Sequence, residues 1–410
     1  MVTTSARWPV ATLSAFVASL IALPSLSIDV VMPGLADLRA ETGATLLQSG
    51  LVITLFMVGL ALGQAYLGPL SDRVGRRPVL LGGLALYVIS GAGSTLAGSP
   101  STLLVFRVVQ GTGAGGSTVL ALAVVRDLLE GDAARSVRSY AAAAFNVVPI
   151  FAPSLGAMLV TTLGWRAAHA VPAVLGVALL LWIALRFDET HPAPDKNAVR
   201  VRYPRAELLG RRFVSYVVLN AASYAALMSY IAGSSLMLMD GMGLSARAYA
   251  LAFAGTSAAL MLGAWLNGRM AQHGMLGSRL LAAGLVVGIA SSLLLAALPM
   301  RMGVISGGLV MLAVLSRGLT GPNAQHAALE PFPKVAGTAA AAFSVAQVLA
   351  GASATLVVVP LYQTFGPPGV AYAMAGYSLV AGGGWIYVHT ARGLVPWRRV
   401  LDGSREAGGA

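Results

Sequence analysis

The chain has 410 residues, of which 57% are hydrophobic and 10% are charged, and its mean hydropathy is +0.77. Because soluble domains carry about 25% charged residues, this composition indicates a polytopic membrane protein and excludes a soluble enzyme or binding domain. The sequence contains no cysteine, which excludes disulfides, thiol catalysis and thiolate metal sites.

Twelve apolar stretches of about twenty residues predict transmembrane helices. In the first half they cover 10–31, 49–67, 78–96, 101–124, 137–160 and 168–185. In the second half they cover 213–237, 249–266, 279–298, 304–324, 335–359 and 369–390. The longest polar stretch, 186–212, lies between the sixth and seventh predicted spans and carries seven cations, four acids and three prolines.

These stretches predict an all-α protein with two six-helix bundles. We expect an amino-terminal bundle over 1–190, a cytoplasmic linker over 191–211, a carboxy-terminal bundle over 212–392 and a cytoplasmic tail over 393–410. A weak internal repeat supports the two halves, since a Gly-x-x-x-Asp pattern ends the second span and Gly-x-x-x-Asn ends the eighth. Parallel repeats of this kind are typical of two-bundle transporters.

The distribution of positive charge predicts the orientation. If the amino terminus is cytoplasmic, the cytoplasmic segments carry 21 of the 27 Lys and Arg residues, the opposite side carries four, and two lie within spans. Cytoplasmic loops retain positive charge, so both termini and the linker are expected inside the cell. The net charge of +12 therefore indicates membrane topology rather than nucleic-acid binding.

The densest cluster of charge is the stretch 68–78, which reads GPLSDRVGRRP and lies between the second and third spans. Its glycines, its proline residues and its position predict a tight, charged hairpin loop at the membrane surface. The residues of interest are Gly68, Asp72, Arg73, Gly75, Arg76 and Arg77.

Asp29 is the only carboxylate inside an apolar span, and an ionisable group in a membrane helix is a functional candidate. Burial raises a carboxylate's pKa and a nearby cation lowers it, so such a group can exchange a proton when its surroundings change. Arg107, in the fourth span, falls at a similar depth and needs a partner. Two alternatives stay open: Asp29 is a helix-end residue in water, or the two residues form a purely structural ion pair.

Other polar or helix-bending residues within spans are candidates for hinges and cavity contacts. In the fifth span, Pro149 and Pro153 free backbone carbonyls and bend the helix, with Gly156 after them and Asn146 before them. In the second half, the polar candidates for a substrate cavity are Asn220, Tyr224, Gln347 and Arg317. For each of these side chains an interhelical hydrogen bond is the alternative role.

The role of Arg317 stays open, because it has no acid near it in sequence. It faces a cavity or pairs with backbone carbonyls. The histidines near helix ends are not interpreted as a proton relay, and the chain has no phosphate-binding Walker loop, so ATP is not the expected energy source.

Several motifs of the sequence resemble those of a known family. The stretch 68–78 is similar to the loop-two signature of the major facilitator superfamily, and Arg107-x-x-Gln110-Gly111 resembles the helix-four signature of its drug:proton antiporters. Ala152-Pro153-x-x-Gly156 resembles the helix-five antiporter motif in degraded form. Shorter matches around Asp29, 126–127, 164–166 and 336–339 are similar to the Bcr/CflA subgroup of bicyclomycin and chloramphenicol exporters.

The resemblance implies two six-helix bundles that work by alternating access. It implies that Asp72 lies near the amino end of the eleventh helix and that Arg76 pairs with Asp127, which together latch the cytoplasmic side in the outward-open state. It also implies that Asp29 exchanges proton and substrate, assisted by Arg107. Several such exporters carry a second acid earlier on the first helix, whereas 20–27 contains none.

We therefore expect a non-enzymatic, proton-driven exporter of small, partly lipophilic compounds such as antibiotics in the cytoplasmic membrane of a bacterium. The expected partners are a small-molecule substrate, protons and the lipid bilayer, with no cofactor, no metal and no nucleic acid, and a monomer is sufficient. The alternatives are export of a neutral metabolite such as an amino acid, peptide or sugar, a proton-coupled importer, and a membrane sensor that does not transport.

Overall fold

The structure is a computed structural model that describes residues 9–190, 210–298, 303–332 and 336–390. Within these ranges the chain is helical, with twelve helices of at least 20 residues, so the predicted all-α, twelve-helix class is confirmed. The first six are α1 (Val10–Asp29), α2 (Leu46–Val74), α3 (Arg76–Thr95), α4 (Pro100–Leu128), α5 (Gly131–Leu163) and α6 (Trp165–Arg186). The second six are α7 (Arg211–Ser235), α8 (Ala246–Gln272), α9 (Gly277–Ala297), α10 (Gly303–Leu329), α11 (Ala336–Phe365) and α12 (Pro368–Thr390).

Many of these helices have the length and composition of membrane spans. In the described ranges, ten helical segments are long and apolar enough to cross a bilayer, and α5 contains a further apolar stretch, Val147–Leu163. A bilayer core requires about twenty apolar residues per helix, which agrees with these lengths. The protein is therefore a multi-pass membrane protein.

The helices pack in two groups. Helices α1–α6 pack mainly among themselves, most closely α2 and α3 against α4, and α7–α12 do the same. The two groups meet through α2 with α11 and through α5 with α8. Small residues allow the closest crossing, since any side chain at Gly59 or Gly63 of α2 would collide with the α4 backbone, and the same holds for Gly111 and Gly115 of α4 against α2.

The helices are longer than the predicted spans where the sequence becomes polar. Helix α2 continues seven residues beyond the predicted end at 67, to Val74, and α5 begins at Gly131 rather than at 137. Hydropathy finds only the part of a helix that crosses lipid, whereas charged and polar residues continue a helix readily in water. A hydropathic boundary is therefore not a helix end.

The predicted hairpin loop over 68–78 is corrected by this extension. Only Gly75 separates α2 from α3, so 68–74 and 76–78 are helical. Gly75 has a φ of +109°, a backbone conformation that glycine adopts without the steric cost of a Cβ. The turn is tight, as predicted, but it consists of a single residue.

An irregular segment follows the first helix of each group. Helix α1 ends at Asp29 and is followed by a 3₁₀ turn (Met32–Gly34) and a short helix (Leu35–Thr42). Helix α7 continues into a π-helical turn, Leu236–Gly241. The predicted linker covers 191–211, of which the structure describes Gly210 and Arg211, and the predicted tail over 393–410 lies outside the described residues, so these domain boundaries stay predictions.

Candidate functional site

Asp29 is the last residue of α1 and is buried, with 4% of its surface exposed. The Ser25 hydroxyl, one turn earlier, donates a hydrogen bond of 2.8 Å to its Oδ2 atom. The 3₁₀ turn that closely follows it contacts α7, so this end of α1 lies near the junction of the two halves. Asp29 is thus a helix-end residue, as one alternative held, but it is enclosed by protein and not placed in open water.

Arg107 is also buried, with 1% exposure, and its guanidinium joins three helices. Its Nε donates to the Val52 carbonyl of α2 at 3.0 Å, and its Nη2 donates to the Ser27 carbonyl of α1 at 3.1 Å. Within α4, its Nη1 donates to Gln110 Oε1 at 2.8 Å. The guanidinium also lies 4.4 Å from the centre of the Phe56 ring of α2. These contacts satisfy a buried cation through neutral acceptors and a ring face.

The pairing of Asp29 with Arg107 that the sequence suggested is not formed in this conformation. Instead, Arg107 holds the backbone two residues before Asp29, through the Ser27 carbonyl. The Ser27 hydroxyl in turn shares a hydrogen bond of 2.6 Å with the Tyr87 hydroxyl of α3. The end of α1 that carries the acid is therefore anchored to α3 and α4.

Four of the predicted cavity residues meet in one cluster, which we call the Arg317 cluster (Asn220, Tyr224, Arg317 and Gln347). Arg317 Nη1 donates to Asn220 Oδ1 at 2.7 Å, and its Nη2 donates to Gln347 Oε1 at 3.3 Å. Asn220 Nδ2 also donates to Gln347 Oε1, at 2.7 Å, and the guanidinium lies 5.6 Å from the centre of the Tyr224 ring. The partners of Arg317 are thus side-chain amides rather than the backbone carbonyls considered from sequence.

The Arg317 cluster lies on the side of the second half that contacts the first. Any side chain at Gly351 of α11 would meet both Tyr224 and Met57, the latter from α2. One turn before Gln347, the Ser344 hydroxyl donates to Gln64 Oε1 of α2 at 3.0 Å. The cluster and Asp29 therefore belong to the same junction. The fifth predicted cavity residue, Asn146, lies in α5, but its side chain is outside what the structure describes.

The charged residues around Gly75 form a network inside the first half. Arg76 has 2% of its side chain exposed, and its Nε donates to Asp127 Oδ2 at 2.9 Å. Its Nη1 donates to Asp72 Oδ1 at 2.5 Å and to Ser71 Oγ at 2.6 Å. The contact of Asp72 with the amino end of the eleventh helix stays a prediction, because residues 333–335 lie outside the described ranges.

The other residues of this stretch have distinct surroundings. Gly68 is buried against Val119, and Arg73 is exposed. Arg77 donates to the Ala184 carbonyl of α6 at 2.8 Å.

Glu189 completes this network and was not anticipated from sequence. Its Oε1 accepts from the Arg76 backbone N–H at 2.8 Å, and its Oε2 accepts from the Arg77 N–H at 3.1 Å, so it caps the amino end of α3. A Cβ at Gly75 would lie 2.5 Å from Glu189 Oε2, which is a second reason for glycine at the turn. No sequence signal links an acid to a helix start more than a hundred residues away.

The predicted hinge of α5 makes a contact with the second half. Pro153 has no N–H, so it cannot bond the carbonyl of Pro149 four residues earlier. The Ser257 hydroxyl of α8 donates to that carbonyl at 3.1 Å. Two turns further along α5, Gly156 lies so close to the Val30 carbonyl that a side chain there would collide with it. Helix α5 therefore contacts both the residue after Asp29 and the facing half.

Further contacts between the halves were not visible in the sequence. Arg39 Nη2 and Asp240 Oδ2 lie 3.3 Å apart and join the short helix after α1 to the π turn after α7. The Thr54 hydroxyl of α2 donates to the Ala352 carbonyl of α11 at 3.1 Å. These contacts close the junction on the side of Leu46 and Phe365, the ends of α2 and α11.

Taken together, a twelve-helix membrane protein with two packed groups and buried charge at their junction has the architecture of a secondary transporter. The sequence profile of the Major Facilitator Superfamily matches residues 15–355, and the chain belongs to this family. It is a transporter of small molecules rather than an enzyme.

Characterised relatives and solved structures agree with the family. The chain is similar to the multidrug resistance protein MdtL of Escherichia coli O17:K52:H18 and of Escherichia fergusonii, each 29% identical over 334 residues that cover 80% of this chain and 84% of the relative. Its fold is similar to a D-xylose–proton symporter, with a TM-score of 0.76, 17% identity and coverage of 92% and 97% of the two chains. It is also similar to the POT family transporter PepTSo, with a TM-score of 0.75, 14% identity and coverage of 95% and 99%.

Proposed function

We propose that this protein exports small, partly lipophilic compounds such as antibiotics in exchange for protons, by alternating access across the cytoplasmic membrane of a bacterium. The observation that carries the proposal is Asp29, a buried carboxylate at the junction of the two halves of a Major Facilitator Superfamily transporter. The similarity to MdtL, whose name states multidrug resistance, supports drugs as cargo and agrees with membership in the Bcr/CflA subgroup.

Asp29 is the proposed proton carrier. A carboxylate in low dielectric exchanges its proton when neighbouring dipoles, water or charges change. In the described structure its hydrogen-bond partner is one serine on its own helix, and the 3₁₀ turn that closely follows it contacts α7 of the second half. Movement of one half against the other therefore alters the surroundings of Asp29 directly, which is the physical requirement for coupling a proton to alternating access.

Arg107 is proposed to position the proton carrier. It fixes the carbonyl of Ser27, two residues before Asp29, and its other contacts lie in the first half. Arg76 and Asp127 are proposed to orient Asp72 toward α11, forming the latch of the cytoplasmic side. In this arrangement the buried pair stays within the first half, and Asp72, whose side chain is 57% exposed, is the member that can exchange partners between states.

The proposal includes an orientation of the chain in the membrane with both termini in the cytoplasm. The positive charge of the linker and of the loops on the same side supports cytoplasmic termini. A monomer is sufficient for this mechanism, since each chain contains both helix groups.

A growth-inhibition panel in an efflux-deficient bacterial host tests the cargo, and everted membrane vesicles test the coupling. Expression of the wild type is expected to raise the resistance of the host to at least one compound, and that compound should release protons from acidified everted vesicles. Asp29→Asn should abolish both effects, whereas Asp37→Asn, which changes an exposed carboxylate on the short helix after α1, should leave them intact. Solute-dependent proton movement with sugars, amino acids or peptides but not with drugs would instead support a metabolite transporter.

A further inference from the structure

The Arg317 cluster contains many more hydrogen-bond donors than acceptors. An arginine has five N–H donors and each primary amide has two, whereas the acceptors are the two amide oxygens and the Tyr224 hydroxyl. Three hydrogen bonds within the cluster engage both amide oxygens, with Gln347 Oε1 accepting twice. The amide oxygens must face Arg317, because a guanidinium has nothing to accept with. The remaining N–H groups of the cluster therefore outnumber its free lone pairs.

The surroundings do not supply a counter-charge. Among the described residues, no carboxylate forms an ion pair with Arg317. Arg317 is a partly buried residue, in contrast to the fully buried Arg107. Arg107 donates to two carbonyls and an amide and lies over a ring in a fully buried site, whereas Arg317 donates to two amides in a partly buried one.

The charge of the cargo follows from the two charged groups near the junction. The Arg317 guanidinium lies 5.6 Å from the Tyr224 ring of α7, and the 3₁₀ turn that closely follows Asp29 contacts the same helix. Arg317 repels a cationic cargo from the cluster. An anionic cargo would be stabilised by a protonated Asp29 and would thus bind together with the proton, which is the opposite of exchange. An uncharged acceptor group avoids both effects.

We propose that the Arg317 cluster recognises cargo through an uncharged, oxygen-rich acceptor group, such as a nitro, carbonyl or sulfonyl group, whose apolar body lies against Tyr224 and the neighbouring Met57 and Met228. This inference rests on the proposed function, since it names the chemistry of the exported compounds. Arg317 supplies the charge-assisted hydrogen bond, and Asn220 and Gln347 hold the guanidinium in place and add amide donors. The two methionines and the tyrosine meet at Gly351, so the polar group and an apolar surface are adjacent.

The experiment measures equilibrium binding to the purified full-length protein in nanodiscs, without a proton gradient. The probes are four compounds of nearly equal size: naphthalene, 1-nitronaphthalene, 1-naphthoate and 1-naphthylmethylammonium, each corrected for its partition into empty nanodiscs. The nitro compound is expected to bind about tenfold or more tightly than naphthalene and than the ammonium compound. Equal binding of all four compounds, or tightest binding of either the naphthoate or the ammonium compound, would overturn the proposal.

Three variants assign the effect to the residue. Arg317→Gln, which keeps a polar side chain but removes the charge and the fork of donors, should weaken binding of the nitro compound about 10- to 100-fold without changing the binding of naphthalene. Arg317→Lys should weaken it less, and it provides the test if the glutamine variant does not fold. Arg269→Gln, at an exposed position of α8, should bind as the wild type does. Unchanged binding in both Arg317 variants would contradict the inference.

The binding experiment can succeed or fail independently of the vesicle experiment that tests the proposed function. If the nitro compound binds through Arg317 but no compound releases protons from vesicles, the recognition chemistry stands and proton exchange fails. If a cationic drug drives proton release equally well in wild type and in Arg317→Gln, proton exchange stands and this inference fails.

Discussion

The hydrogen bond from Ser257 to the Pro149 carbonyl is a contact whose loss should change the balance between conformations. It joins α8 to α5 across the junction, and it exists because Pro153 leaves that carbonyl without a partner in its own helix. Any movement that separates α5 from α8 breaks it. Ser257→Ala removes the hydroxyl and should therefore destabilise the conformation described here relative to one in which these helices part.

The expected change in the population ratio follows from the distances around the Ser257 hydroxyl. The Ser257 Oγ lies 3.1 Å from the Pro149 oxygen and 3.0 Å from the Phe253 oxygen of its own helix, so its single hydrogen is shared between two acceptors. A hydrogen bond to a buried neutral acceptor contributes about 0.5–1.5 kcal/mol, and we take about 1 kcal/mol for a shared one. Since about 1.4 kcal/mol corresponds to a factor of ten, the population ratio of the two conformations should change about fivefold.

Distances between spin labels measure this ratio directly. The chain has no cysteine, so two introduced cysteines, Leu163→Cys at the end of α5 and Arg247→Cys at the start of α8, report without background. Both positions are exposed. In Ser257→Ala the population ratio of the separated conformation to the one described here should rise about fivefold. Ser229→Ala, which removes a buried hydroxyl bonded only to Ala225 of its own helix, is the matched control and should not shift it.

A double-mutant cycle with Pro153→Ala tests the reasoning further. An alanine at 153 restores the N–H that can bond the Pro149 carbonyl within α5, so the carbonyl no longer depends on Ser257. The effect of Ser257→Ala should therefore shrink in that background. An equal shift in both backgrounds, or no shift in Ser257→Ala alone, would refute the assignment of this hydrogen bond.

Three further predictions concern contacts at the ends of the helices. Asp127→Asn removes the buried one of the two carboxylates that pair with the Arg76 guanidinium and should lower thermal stability in detergent by several degrees, with a loss of about 3 kcal/mol or more, whereas equal stability would show that the pair is not a structural one. Glu189→Gln should cost about 1 kcal/mol in the same measurement, because a neutral amide caps α3 less well than a carboxylate. Neutralising Arg39 or Asp240, which are 26% and 40% exposed, should change transport rates less than about fivefold, and exchange of the two charges should restore the wild-type rate.

The twelve helices were predictable because the length of an apolar stretch is set by the bilayer, not by the fold. Their ends were not, because α2 continues through polar sequence as far as Gly75. A hydropathic boundary marks where lipid ends, and the helical hydrogen bonds continue past it. The tight turn was recognised from its glycine, while the partner that caps it, Glu189, depends on where α6 ends in three dimensions.

The candidate site, like the helices, was predictable from the sequence only in part. The members of the Arg317 cluster could be selected from sequence, since polar residues in apolar spans are few, but their contacts could not. Arg317 bonds amides on two other helices, and Arg107 bonds backbone carbonyls. Every residue has a carbonyl, so no pattern of side chains distinguishes the carbonyl of Val52 from its neighbours. The choice of partner is made by helix packing, through the glycine contacts between α2 and α4.

The central claim is that Asp29 exchanges a proton for cargo, and proton release from purified protein in detergent tests it most directly. A weakly buffered solution with a pH dye is monitored while a saturating amount of a compound from the resistance panel is added. The wild type is expected to release up to one proton per protein, and Asp29→Asn is expected to bind the compound and release none. Proton release from Asp29→Asn equal to that of the wild type would contradict the account.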